Sequence, residues 1–325
     1  MAVTNTLRRA LLYVPGSSKR MLDRAATMTV DCAAFDLEDS VTISHKDEAR
    51  ELVRRTLDHP KPHSIHETAV RINSVGSGLA EKDLTSMLDS PYLTTIVVPK
   101  VDSASDLRFV HDMVKHSIST TKSFATSSSP RQPISILALI ESAKSITNLS
   151  EICTATPLLS GLIFAAEDFA LDLSITRTPS LTEFLYARSA IVTAARAHNI
   201  PSVIDLVCTT YARNPDTDSE ASSILKQEAQ DGKRLGFNGK QCIHPSQVAP
   251  VQAVFSPEPK ELVWAVRVSI ADEKAARQGR GAWTLDGKMI DAPVVGKAKA
   301  IVRKAEQCGM NVKDLIREWH DQEPE

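Results

Sequence analysis

Short apolar runs recur along this chain, each closed by polar or charged residues and each followed by a segment of helical periodicity. The runs cover residues 10–15, 33–37, 69–72, 94–98, 134–141, 161–168, 202–208 and 239–243. Runs this short, flanked by helical patterns, predict strands buried on both faces. The helical segments between and after them are 19–28, 46–57, 79–88, 105–118, 145–155, 181–198, 219–235 and 246–255. In 46–57, for example, Ala49, Leu52, Val53 and Leu57 fall on one face. Eight strands alternating with eight helices in about 250 residues predict an α/β chain whose residues 9–255 form a (β/α)₈ TIM barrel. A doubly wound open sheet is the alternative, but its Gly-rich phosphate turn is missing.

Residues 256–325 predict a C-terminal helix-hairpin-helix appendage. Helical segments 257–278 and 294–308 flank a hairpin signal at Asp286-Gly287. Its Trp283, Met289 and Ile290 are expected to contact a neighbouring subunit, and residues 319–325 to fray. The Ser/Thr-rich stretch 119–133 lacks apolar periodicity and reads as a mobile surface loop.

Composition narrows the class. The formal net charge of −2 supplies no basic field for nucleic acid. No run approaches the ~18 apolar residues of a membrane span. The five cysteines form no Cys-x-x-Cys pair and several sit in apolar runs, which points to reduced thiols in a reducing compartment. Residues 1–9 are too short for a signal peptide and shorter than most transit peptides, so no clear targeting segment is present. The expected compartment is the cytoplasm or the mitochondrial matrix.

Candidate chemistry lies where the runs end. Glu38, Asp39, Arg71, Lys100, Glu141, Asp168, Asp205 and His244 all stand at or near the ends of their runs, and in such barrels that rim carries the active site. Glu141 and Asp168, at the ends of successive strands, are suited to share one hard cation with oxygen ligands, Mg²⁺ above all. The alternative is that each caps the helix that follows.

These residues also carry a resemblance. Residues 12–16 (Leu-Tyr-Val-Pro-Gly), 35–39 (Phe-Asp-Leu-Glu-Asp), 70–73, 98–100, 138–141, 166–168, 186–188, 239–245 and 289–293 are similar, in order, to the citrate lyase β-subunit family of the hydroxy-keto-acid aldolase superfamily, most of all its citramalyl-CoA lyase branch. The resemblance implies a Mg²⁺-dependent lyase acting on a 3-hydroxyacyl-CoA thioester, working as a homotrimer or hexamer with shared active sites. It implies Glu141 and Asp168 as metal ligands, with Glu141 also near substrate, and Arg71 facing the thioester carbonyl. Tyr13, Arg20 and Arg24 would meet the CoA arm, opposite Ile243 and His244, and Asp291 from an adjacent subunit would transfer the proton. Glu38 and Asp39 are expected to support metal-bound water or to pair with Arg71, and Lys100 to neutralise the acids. Thr210-Tyr211 departs from the Asp-Phe of many relatives.

Other readings of the same residues stay open. Arg20 and Arg24, four apart, could pair with acids on their helix. His244, before Pro245, could serve packing alone. The whole chain could act on a keto acid without CoA, or bind CoA without catalysis. Citramalyl, malyl, methylmalyl and citryl thioesters differ too little for the residues to separate them.

Overall fold

Eight parallel strands close in sequence order: β1 (Ala10–Pro15), β2 (Val30–Asp36), β3 (Ile65–Arg71), β4 (Thr95–Val98), β5 (Ser135–Ile140), β6 (Leu159–Phe164), β7 (Ser202–Asp205) and β8 (Gly239–Cys242). The ring is completed where Ala10, Leu11 and Leu12 pair with Lys240, Gln241 and Cys242. These features belong to a computed structural model, which describes residues 6–120, 133–212 and 219–325. The expected loop therefore lies mostly outside the described residues; Ser119 and Thr120, at its start, end α4. The chain divides into two compact units between Phe255 and Ser256.

In the first unit the connecting helices are α1 (Lys19–Ala25), α2 (Lys46–Leu57), α3 (Ala80–Met87), α4 (Ala104–Thr120), α5 (Ala143–Thr147), α6 (Leu149–Cys153), α7 (Ala166–Leu173), α8 (Leu185–Ala197), α9 (Ser219–Leu235) and α10 (Val248–Phe255). Strand alternation sorts the side chains into two layers. Leu11, Cys32, Ala34, Ala69, Val97, Leu137, Leu139, Ile163 and Ile204 fill the barrel interior, and their neighbours pack outward under the helices.

The same period of two places polar residues at both ends of the interior. Two positions before Ala69, Val97, Leu137 and Ile204 stand Glu67, Thr95, Ser135 and Ser202. Arg8 reaches into this layer. Its Nε and Nη2 each donate to Glu67 at 2.6 Å, and its Nη1 donates to Ser202 Oγ at 3.0 Å and the Ser160 carbonyl at 3.2 Å. Arg8 and Glu67 are buried, so the pairing satisfies two charges that burial would otherwise penalise heavily. Two positions after Leu11, Ala34, Ala69 and Leu139 stand Tyr13, Asp36, Arg71 and Glu141. These define the opposite end.

Several boundaries differ from expectation. β6 stops at Phe164, and Asp168 lies in the first turn of α7, not at a strand end. The apolar run extends past the strand because Ala166, Phe169 and Ala170 bury one face of α7. The helix expected over 145–155 is two short helices, α5 and α6, meeting at Asn148.

The second unit contains α11 (Pro259–Arg277), strands β9 (Trp283–Leu285) and β10 (Lys288–Ile290), α12 (Ala292–Gln307) and α13 (Val312–Glu318). Asp286 and Gly287, both at positive φ (51° and 71°), form the two-residue turn of the hairpin. Trp283 and Ile290 do not face outward as expected. They pack with Leu285, Ala265, Val268 and Val295 into this unit's own core, and of the expected contact residues only Met289 is exposed. Residues 319–325 are not frayed either: Glu325 exchanges backbone hydrogen bonds with Thr284, and the guanidinium of Arg267 lies over the Trp319 ring. Among the described residues no helix is long and apolar enough to cross a membrane. All five cysteines are free thiols, and all but Cys308 are buried.

Candidate active site

A pocket of about 420 Å³ opens at the C-terminal ends of the strands, lined by Tyr13, Asp36, Asp39, Arg71, Asp168, Gln241 and Ile243 among others. A larger cavity, about 480 Å³, lies between α1, α2 and residues 59–62, and carries none of the rim carboxylates. The chemistry therefore belongs to the rim pocket.

Arg71 ends β3 and is held on three sides. Its Nε and Nη2 donate to the two oxygens of Asp36, both at 2.7 Å, while Nη1 donates to Asp39 at 3.1 Å. Glu38 Oε2 is 3.2 Å from Nη1 but lacks hydrogen-bond alignment. The Tyr13 ring lies 4.6 Å beneath the guanidinium, and the Tyr13 hydroxyl donates to Gln241 at 3.0 Å. Burial works against the charge of Arg71, but the bonds to Asp36 and its charge outweigh this and hold the guanidinium protonated. Burial likewise pushes the Tyr13 hydroxyl up, so it stays neutral.

Lys100 ends the β4 segment with a positive φ of 51°, a conformation rarely taken by a residue with a side chain. Its ammonium lies 3.3 Å from Glu38, 3.7 Å from Asp168 and 3.9 Å from Glu141. It thus stands among all three acids and offsets part of their charge. Burial lowers the affinity of Lys100 for its proton, but Glu38, Glu141 and Asp168 together raise it.

Glu141 and Asp168 thus come together around one cation, and neither caps a helix. Ser142 caps α5 through its own hydroxyl, and the N-cap of α7 is Ala165, which offers no side-chain bond. Burial pushes Glu141 up to about 8, helped by the charges of Glu38 and Asp168 and opposed by Lys100. Burial pushes Glu38 up to about 7, with Arg71 and Lys100 opposing and Asp39 adding to the rise. One lysine does not neutralise this group, and Glu38 Oε2 is buried without a hydrogen-bond partner. An under-neutralised, all-oxygen donor set suits a hard divalent cation. No group of three or more His, Cys, Asp or Glu side chains gathers at a metal-binding distance among the described residues. The chain therefore offers two carboxylates, with room for water or substrate oxygens beside them.

These shifts set a stability profile for the metal-free protein. Both carboxyls bind protons more tightly when folded than at their ordinary value of 4.5. The stability this contributes is complete below about 4.5 and is lost as pH rises through about 7 and 8. Melting curves in chelator should fall over that window, and Glu141→Gln, neutral throughout, should flatten the fall. An unchanged slope in the variant would contradict it.

A third cavity, of about 220 Å³, adjoins the rim pocket through Tyr13, Pro15 and Ile243, and adds Arg20, Arg24 and His244. On α1, Asp23 pairs with Lys19, and Arg20 and Arg24 line this cavity. His244 Nδ1 accepts from the Ser246 N–H, and its ring stacks on Tyr211 at 4.6 Å, contacts that serve the local fold. Burial and the nearby Arg24 charge lower its proton affinity.

Residues 9–245 match the family model described as HpcH/HpaI aldolase/citrate lyase. The chain belongs to that family. Its citrate lyase relatives include the citrate lyase subunit beta of Escherichia coli (strain K12), 37% identical over 93% of this chain and 95% of that protein. The mitochondrial citramalyl-CoA lyase of Homo sapiens is 34% identical over 92% of this chain and 85% of that one. The protein CitE from Mycobacterium tuberculosis, solved in complex with magnesium, acetoacetate and coenzyme A, is 28% identical and superposes with a TM-score of 0.70, covering 93% of this chain and 99% of that one. As a member of this aldolase/citrate lyase family, the chain is a carbon–carbon lyase.

Within the lyase, one candidate of the rim is placed elsewhere. Asp205 does not reach the pocket: it is fully buried and bound by Arg188, whose Nη2 and Nε donate to it at 2.7 and 3.1 Å. Asp291 is the N-cap of α12, accepting from the Val294 N–H at 3.2 Å, and belongs to the second unit. Asp36, passed over in the sequence, is the residue that binds Arg71. The period of two beyond inward-facing Ala34 marks it.

Proposed function

We propose that this lyase is Mg²⁺-dependent and cleaves a 3-hydroxyacyl-CoA thioester, with citramalyl-CoA giving pyruvate and acetyl-CoA as the leading substrate. The observation that carries this reading is one rim on which the Glu141 and Asp168 carboxylates stand beside a clamped guanidinium. An adjoining cavity offers Arg20 and Arg24. Glu141 and Asp168 would hold the cation, which when bound supplies Lewis-acid polarisation of the substrate's hydroxyl and carboxylate oxygens.

The chain's own groups do the rest. Arg71 places positive charge where the thioester oxygen becomes an enolate as the carbon–carbon bond breaks. Asp39 and Glu38 neutralise Arg71 and Lys100 until the substrate enters. Arg20 and Arg24 pair with phosphates of the CoA arm, Tyr13 and Ile243 line the passage between the two cavities, and His244 forms a wall. Asp291 of an adjacent subunit delivers a proton to the enolate carbon, in a homotrimer or hexamer. The mitochondrial location in the human relative's name favours a mitochondrial compartment for this chain, with the cytoplasm as the alternative.

The test is turnover of purified protein on citramalyl-, malyl-, methylmalyl- and citryl-CoA, with Mg²⁺ or with chelator. Cleavage of citramalyl-CoA to pyruvate, lost in chelator, is expected. Preference for another thioester would reassign the substrate, and turnover of a free keto acid without any response to CoA would end the thioester reading.

A further inference from the structure

Asp36 takes part in no step above, yet its carboxylate accepts four hydrogen bonds while only 1% exposed. Two come from Nε and Nη2 of Arg71, both at 2.7 Å; the others come from the Glu38 N–H at 2.9 Å and the Ser40 N–H at 3.1 Å. Gly16 completes the setting. Its N–H donates to the Asp36 carbonyl at 2.9 Å, and a Cβ there would come within 2.6 Å of that oxygen, so the chain crosses Asp36 more closely than a larger residue allows.

The guanidinium is therefore fixed by its Nε edge against Asp36 and by its face on Tyr13. Tyr13 is itself tied to Gln241, whose amide donates to the carbonyls of Phe164 and Asp205. The Nη1 edge remains, and its partner Asp39 is exposed enough to give way to an entering oxygen. Asp36 can release Arg71 only by breaking a bidentate pair inside the protein.

We infer that Asp36 is the positioning residue of this site, setting the plane of Arg71 so that the Nη1 edge meets the developing enolate oxygen and tying that plane to the segment that carries Glu38. The inference rests on the role given to Arg71 above. A buried ion pair contributes little net stability compared with apolar packing. A planar fork held at two points, by contrast, keeps a donor aimed through the reaction.

The experiment compares Asp36→Asn, Arg71→Lys and the double variant on citramalyl-CoA with Mg²⁺. Asparagine keeps the shape but turns an amide donor toward the guanidinium. Turnover of Asp36→Asn should fall about 10²-fold, the scale of one lost oxyanion donor, while the Michaelis constant moves less than about threefold. The double variant should be no worse than its more damaged parent by more than about threefold, because residues acting as a unit are non-additive. A second readout is chemical rescue. Added guanidinium should restore part of the turnover of Arg71→Gly, and should fail when Asp36→Asn is also present.

Losses that multiply in the double variant, or rescue that is indifferent to Asp36, overturn the positioning role while leaving Arg71's role standing. Unimpaired turnover in both Arg71 variants removes the enolate role itself, and the positioning role with it. Should Asp36→Asn not fold, Asp36→Glu keeps the charge and displaces it by one methylene. Reduced turnover with a retained Michaelis constant is then expected, and full turnover overturns the inference.

Discussion

Glu141→Gln should lower turnover by about 10³-fold, the upper range for losing one electrostatic contact to the reacting atoms, and should leave the protein folded. Asp168→Asn should do the same. In the metal-free site Glu38, Glu141 and Asp168 share one ammonium, and Glu141 is pushed up to about 8. Glutamine keeps the volume and removes the charge that burial and its neighbours oppose. The metal-free variant should therefore melt at the same temperature or higher above neutral pH, even as activity disappears. Loss of function with gain of stability is the signature of a strained functional group. Titrating Mg²⁺ against activity and melting temperature in parallel separates the two effects. Unchanged turnover in both variants at limiting Mg²⁺ would remove Glu141 and Asp168 as ligands.

Asp291→Asn should cost about 10²- to 10⁴-fold in turnover, the range for losing a positioned acid or base. Asparagine is as good an N-cap as aspartate, so α12 should keep its start. Metal and CoA binding should survive, since neither is assigned to this residue. The decisive measurement mixes Asp291→Asn with Glu141→Gln, each inactive alone, by unfolding and reassembling them together. If one subunit's Asp291 serves another's Glu141, some sites in the mixed oligomers hold both intact residues, and part of the activity returns. Verified mixed oligomers with no more activity than either parent would place Asp291 outside a shared site.

The periodic part of this architecture was open to reading because it is governed by local rules. The bounds of α2 and α9 coincide with the amphipathic segments at 46–57 and 219–235, and the Asp286-Gly287 turn falls where two residues of positive φ are needed. Asp168 reads as a strand end in sequence because buried strand and buried helix face are both apolar, and no turn residue separates Phe164 from Ala166. Asp36 carries no label in sequence beyond its place two positions after Ala34, and the more conspicuous Glu38 and Asp39 follow it. Its importance comes from Arg71, a residue 35 positions away. The left-handed backbone of Lys100 had no sequence signal either, since lysine seldom adopts it. Residues 319–325 looked unstructured because backbone pairing to Thr284 and a ring over Arg267 leave no apolar pattern.

The layer in which Arg8 is bound by Glu67 and Ser202 fills the strand-start end of the barrel. Among the described residues nothing passes along the axis, so the interior has a floor at the strand starts and the pocket opens at the rim. Everything the rim receives and releases must use that end. On the reading proposed here, the small acid forms against Glu141, among nearly buried groups, while the bulky thioester extends past Arg20 and Arg24. Both fragments then leave through the end by which the substrate entered. A closed floor thus makes one end of the barrel serve as both entrance and exit.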